Sequence, residues 1–181
     1  MEHMKKIIGI TGGVGAGKSS VLAVLKENFG AKIILADLVA HELMEPGSEG
    51  LKKVTEALGT SFLDPDGSVD RKALADVIFR NKDALRTMNA IIHPLVWKTM
   101  AEAAESAKEQ LVIIEAAVFD TAPKDLFDEL WYVYTTKENR IIRLMANRGY
   151  SREKCEDIIG RQASEGEYRA LCDRVIDNNG D

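Results

Sequence analysis

The sequence predicts a three-layer α/β fold, with a five-stranded parallel sheet between helices, and three observations carry that expectation. Short apolar runs recur along the chain with helical stretches between them, the alternation that builds parallel sheets. The first of these runs leads through a glycine-rich segment directly into a helix. From Asp37 to Lys108 the apolar spacing is helical, which predicts a helical insertion hanging off the sheet.

The elements follow in order. Lys6 to Ile10 is the first strand, a continuous apolar run of the kind buried on both faces of a parallel sheet. Ser19 to Phe29 is a helix whose Val21, Leu22, Leu25 and Phe29 share one face to pack on the sheet, with Gly30 placed to end it. Lys32 to Ala36 is the second strand. Helical patterns then cover Leu38 to Glu45, Ser48 to Leu58, Arg71 to Phe79 and Lys82 to Lys108. The last should break near His93-Pro94, because proline lacks an N–H and disfavours helix at the residue before it. Asp64-Pro65-Asp66-Gly67 is a strong turn, and Phe62 and Val69 beside it predict a short two-stranded ribbon. Gln110 to Glu115, Leu130 to Thr135 and Arg174 to Asp177 complete the sheet. Lys137 to Cys172 is again helical, with Gly149 ending one helix and Ser151 capping the next. The chain thus divides into a core (about 1–36, 109–136 and 171–181), a helical insertion (about 37–108) and a helical hairpin (about 137–170).

Composition narrows the functions available. A chain of 181 residues suits one α/β core with appendages. The formal charge of −5, without a long block of one sign, argues against a dedicated nucleic-acid binder. Cys155 and Cys172 lack metal-ligand spacing, and no apolar run approaches the ~18 residues of a membrane helix. Met1-Glu2-His3-Met4-Lys5-Lys6 is polar and has no signal-peptide core, so a cytoplasmic location with reduced thiols is expected.

Gly12-Gly13-Val14-Gly15-Ala16-Gly17-Lys18-Ser19 fits the pattern G-x-x-x-x-G-K-[ST] between a strand and a helix. Glycines let the backbone wrap phosphate oxygens, so that N–H groups from Gly13 to Ser20 and the positive helix end face the anion. Lys18 would reach the β- and γ-phosphates and Ser19 would ligate Mg²⁺. These features predict a nucleoside triphosphate site.

Phosphoryl transfer also asks for a carboxylate on the acceptor side and for arginines. Asp37 lies at the carboxyl end of the second strand, where open parallel sheets bind ligands. It can accept a proton from an attacking hydroxyl or cap the helix that follows; both readings stand. Glu115 at the end of the third apolar run can help to organise Mg²⁺ or bond backbone or hydroxyl groups near the loop. His41 lies one helical turn from Asp37, and His93 before Pro94 reads as a boundary residue. Arg140, Arg143, Arg148, Arg152, Lys154, Arg161 and Arg169 make the hairpin a lid over phosphates, although any single arginine also fits a solvated ion pair.

Taken together, Ile10 to Ser19, Ala36-Asp37-Leu38-Val39-Ala40-His41-Glu42-Leu43, Glu45-Pro46-Gly47, Asp66-Gly67-Ser68-Val69-Asp70-Arg71 and His93-Pro94-Leu95 resemble the dephospho-coenzyme A kinase family. Arg143, Arg148, Arg161-Gln162 and Val175-Ile176-Asp177-Asn178-Asn179-Gly180 extend the resemblance over nearly the whole chain. It implies a P-loop kinase fold and transfer of phosphate from MgATP to the ribose 3′-hydroxyl of dephospho-coenzyme A, the last step of coenzyme A synthesis. It further implies Asp37 as general base, Arg148 and Arg143 as lid arginines that close on the triphosphate, and Asn178 near the adenine of ATP. The insertion around Arg71 and His93 then helps to form the acceptor pocket. A monomer or weak homo-oligomer without nucleic-acid or membrane partners is expected.

Three departures accompany the resemblance. Leu35-Ala36-Asp37 stands where the family often has Asp-Ala-Asp, so the first acidic position is lost and the base position kept. Glu115-Ala116-Ala117-Val118-Phe119 replaces the common Pro-Leu-Leu pattern after the third main strand. Members usually continue past Asn-Asn-Gly into a last helix, whereas this chain stops at Asp181, which implies a shortened or disordered tail and an exposed strip of core. A mononucleotide kinase shares loop and lid and differs in its acceptor, while a GTPase switch is disfavoured because no Asn-Lys-x-Asp motif occurs.

Overall fold

The structure is a computed structural model that describes residues 5–123 and 125–180. The expectations placed on Met1 to Met4 and on the end at Asp181 lie outside the described residues. Five strands, β1 (Lys6–Thr11), β2 (Lys32–Leu35), β3 (Leu111–Glu115), β4 (Glu129–Tyr134) and β5 (Arg174–Asp177), form one sheet in the order β2-β3-β1-β4-β5. The pairs of β1 with β3, β1 with β4 and β4 with β5 are parallel, and β1 is central, with Ile8 opposite both Ile113 and Glu129. Ile10, Val112, Ile113, Ile114 and Val133 are completely buried, as strands covered on both faces require. Glu129 ties three strands at their polar ends: its carboxylate accepts from Lys6 Nζ on β1 at 2.8 Å, from Arg174 Nε on β5 at 2.6 Å and from the Trp131 indole at 2.7 Å.

Among the described residues eight helices connect the strands: α1 (Lys18–Phe29), α2 (Ala36–Glu42), α3 (Glu49–Leu58), α4 (Arg71–Arg80), α5 (Lys82–Ser106), α6 (Lys137–Arg148), α7 (Arg152–Gly160) and α8 (Glu165–Leu171). None among the described residues is long and apolar enough to cross a membrane. The chain forms two compact units, one up to Ile34 and from Ser106 onward, the other Leu35–Glu105. The first holds the sheet, α1 and α6 to α8; the second holds α2 to α4 and nearly all of α5.

Local chemistry explains most helix ends. Gly30 and Gly149 end α1 and α6 in the left-handed conformation, and Ser151 caps α7 by accepting from the Lys154 N–H. The predicted ribbon is a single antiparallel bridge, Leu63 with Val69, closed by Asp64 N–H to Ser68 C=O at 2.8 Å.

Elsewhere the sequence reading needs correction. The helix expected to break at His93-Pro94 continues from Lys82 to Ser106 with Pro94 inside it. Ile92, Leu95, Val96, Trp97 and Met100 are all buried along it, and that burial offsets the lost hydrogen bond. Phe29, placed on the buried face of α1, is 65% exposed: it is the last helical residue, and Gly30 turns the chain away immediately after it. The arginine-bearing segment holds three helices rather than a hairpin. α8 starts from a reciprocal capping box between Ser164 and Glu167 and lays Tyr168 on Tyr132 of β4, ring centroids 4.7 Å apart.

Candidate phosphate-binding site

Between the end of β1 at Thr11 and the start of α1 at Lys18 the chain makes a tight loop whose carbonyls are individually fastened. The Val14 carbonyl accepts from Arg140 Nε at 2.8 Å. The Ala16 carbonyl accepts from Asn178 Nδ2 at 2.8 Å, from Thr135 Oγ1 at 2.9 Å and from Arg143 Nη1 at 3.3 Å. Because the peptides are trans and planar, each carbonyl held on one side turns the next N–H to the other side. Gly15 and Gly17 therefore present their N–H groups away from these anchors, and neither donates to a described residue. Gly15 has to be glycine: its φ is +77°, and a Cβ would come within 2.9 Å of the Arg140 carbonyl.

The helix that follows adds its own field. Its cap is Gly17, which offers no side-chain acceptor, and its first turn carries no acidic residue. The positive end of α1 is consequently left to an external anion. Ser19 and Ser20 stand exposed in that first turn. Lys18 folds back over the loop, its Nζ donating to the Gly12 carbonyl at 2.8 Å and lying 3.5 Å from Glu115 Oε1 at the end of β3. Glu115 thus pairs with the loop lysine, a role beside the two left open for it.

The arginine cluster divides in two. Arg152 pairs with Glu138 and Glu156, Arg161 with Asp157 at 2.8 Å and Arg169 with Glu165 at 2.7 Å, all on exposed helix surface. Such pairs contribute little. Arg140 and Arg143, one turn apart on α6, instead face the loop. Arg143 also donates to the Asn178 carbonyl at 2.9 Å and lies 3.3 Å from Thr135 Oγ1. Arg148 is exposed at the end of α6 and makes no ion pair with a described residue. Asn178 stands against Ala16, where a Cβ on Gly17 would collide with its amide.

In the second unit, Asp37 is exposed in the first turn of α2, and Leu35 is the cap. The helix starts one residue before Asp37, which removes the capping role considered for it. His41, one turn along, has Nδ1 3.2 Å from Arg71 Nη2 at the start of α4 and Nε2 3.1 Å from Glu45. Arg71 and Glu45 stand against the two ring nitrogens of His41. Arg71 is thus brought to the helix that carries Asp37, while His93 is exposed on α5 and makes no hydrogen bond to either.

Two contributors were given no role by the sequence reading, although Gln162 lies in the segment that carries the resemblance. Thr135 is 3% exposed and braces both Ala16 and Asn178. Gln162 accepts the Val14 N–H at 3.0 Å and also accepts from Arg140 Nη2. The sequence held one signal for this: Arg140 falls on the same stripe of α6 as the apolar Ile141 and Leu144, and these three are the buried residues of that helix among those described. An arginine on an apolar stripe needs internal acceptors.

A family model described as dephospho-CoA kinase matches residues 6–181. A dephospho-CoA kinase of Geobacter sulfurreducens is 38% identical over 178 residues, covering 96% of this chain and 90% of the relative. A crystal structure of a Thermus thermophilus protein matches with a TM-score of 0.78 and 30% identity over 98% of this chain and 90% of that one. A dephospho-CoA kinase structure from Campylobacter jejuni, at 22% identity and a TM-score of 0.69 over 98% and 90% of the two chains, shares the fold. On its own sequence and along nearly its whole length, the chain belongs to the dephospho-CoA kinase family.

Proposed function

We propose that this protein transfers the γ-phosphate of ATP to the ribose 3′-hydroxyl of dephospho-coenzyme A, giving coenzyme A and ADP. What carries the reading is the loop itself: with the Val14 and Ala16 carbonyls held by side chains, the Gly15 and Gly17 N–H groups are set beforehand for phosphate oxygens. Family membership supplies the acceptor.

In this reading Lys18 leaves the Gly12 carbonyl for the β- and γ-phosphates, and Glu115 holds its ammonium near the loop until then. Gly13 to Ser20 supply the cradle. Arg143 has its donors directed to carbonyls and Thr135, so it contributes positive charge beside the cradle while holding the Ala16 peptide in place. Arg148, exposed at the end of its helix, closes on the triphosphate with the lid, and Asn178 borders the adenine side. Asp37 takes the proton of the attacking hydroxyl, and Arg71 and His93 line the acceptor's path. Asp37, in the first turn of α2, sits where the helix field favours a carboxylate.

Mg²⁺ is the metal such a kinase uses, and the donor set fits it. Ser19 offers a hydroxyl in the first turn, and no group of three metal-ligating side chains occurs among the described residues. That pattern suits an ion held mainly by phosphates and water with one or two protein oxygens. Bound there, Mg²⁺ would neutralise charge on the β- and γ-phosphates. An expected cytoplasmic location and a monomer or weak homo-oligomer complete the proposal.

The test is product identification. Purified protein with MgATP and dephospho-coenzyme A should yield a product heavier by one phosphate, with phosphorus coupling placing that phosphate on the 3′-oxygen; a phosphate elsewhere on the acceptor would contradict the assignment.

A further inference from the structure

Arg140 is the most buried charged residue described in the fold, 8% exposed, and among the described residues no carboxylate pairs with it. Its guanidinium lies against the phosphate loop. Nε donates to the Val14 carbonyl at 2.8 Å and Nη2 donates to Gln162 Oε1. The same Gln162 oxygen accepts the Val14 N–H at 3.0 Å, so both backbone polar groups of Val14, in two successive peptide units, are held by this pair. A Cβ on Gly13 would strike the fork, which places the charge directly behind the loop.

A buried charge without a counter-ion is costly, and its neighbours do little to relieve it. Burial lowers the Arg140 pKa from the usual arginine value, and the groups that oppose this are the hydroxyls of Tyr132 and Tyr168, neither an anion at neutral pH. A guanidinium does not give up its proton under these conditions. The strongest anion that the neighbouring loop is shaped to receive is a polyphosphate.

We propose that Arg140 is a positioning residue for the triphosphate: through the Val14 peptide it fixes the outward aim of the Gly15 N–H, and its unpaired charge is balanced when the nucleotide's phosphates arrive. Gln162 is the neutral partner that holds the fork without cancelling it. The inference rests on the reading of this loop as the ATP site. It explains why a glutamine, and not a carboxylate, occupies position 162: Glu would accept both hydrogen bonds equally well but would neutralise Arg140 in advance.

That distinction gives the experiment. Affinities for ATP, ADP and AMP are measured by calorimetry on the full chain for wild type, Arg140→Lys, Arg140→Gln and Gln162→Glu, with thermal melts alongside. The expected result is graded by phosphate number: Gln162→Glu melts higher than wild type without nucleotide and binds ATP about tenfold more weakly, ADP less so, and AMP nearly unchanged. Arg140→Gln, which keeps a donor but no charge, should follow the same gradient, and Arg140→Lys should recover most of the ATP affinity. Equal losses for the three nucleotides, or wild-type ATP affinity in both Gln162→Glu and Arg140→Gln, would overturn the proposal while leaving the ATP site in place. Failure of wild type to bind ATP would overturn both.

Discussion

The Asn178 amide donates to the Ala16 carbonyl at 2.8 Å, joining the end of the last strand to a loop 162 residues earlier in the sequence. The bond gives the segment after β5 a part in the proposed ATP site: it holds the peptide whose N–H, that of Gly17, would face the phosphates. Asn178→Ala should raise KM for ATP several-fold while lowering stability by only about 1 kcal/mol, the worth of one hydrogen bond. Steady-state kinetics with a denaturation curve would separate the two; a lost melting transition with unchanged KM would assign Asn178 to folding alone.

Lys18→Ala removes the one ammonium that is poised over the loop, between the Gly12 carbonyl and Glu115. The expected loss in kcat is about 10²–10³, the usual effect of deleting one electrostatic contact to a transferred group. Glu115→Gln should keep most of the fold and act more weakly, because its pairing with the lysine acts on the phosphates at second hand. Single-turnover rates on both variants check the order.

Asp37→Asn should lower kcat and leave the dissociation constant for ATP nearly intact if the residue serves the acceptor side as proposed. The side chain does not cap α2, so no stability cost of that kind is expected. Normal turnover in this variant would remove Asp37 from the mechanism.

Glu129 gives a pH prediction for the sheet. Hydrogen bonds from Arg174, then Lys6 and Trp131, lower its pKa from 4.5 to about 2. A carboxyl group with a depressed folded-state pKa contributes stability that is fully present above its unfolded value and lost as pH falls through the folded one. Glu129→Gln should therefore unfold at lower denaturant than wild type at pH 7, and the difference should shrink between pH 4.5 and about 2. A constant difference across that range would mean that the carboxylate's charge is not what binds β1, β4 and β5.

Much of this was legible in the sequence because the relevant physics is local. Apolar runs marked all five strands to within a residue or two, and Gly30, Gly149 and Ser151 marked helix ends through their backbone preferences. The loop could be read because glycine spacing alone defines it. What could not be read depends on contacts between distant segments. Pro94 looks like a helix end unless the burial along α5 is known. Arg140 looks like one more surface arginine until α6 is seen to turn it toward Val14 and Gln162, residues 126 and 22 positions away. Arg143 and Asn178 were found through family resemblance, and the structure adds what they hold: the same Ala16 carbonyl.

The most direct measurement is ADP release by the purified protein with MgATP, comparing dephospho-coenzyme A with AMP, CMP, UMP, adenosine and water alone. Rapid release with dephospho-coenzyme A and only background rates with the others is the predicted result. Rapid phosphorylation of a mononucleotide, with dephospho-coenzyme A inert, would contradict the acceptor assignment and leave only the phosphate loop standing.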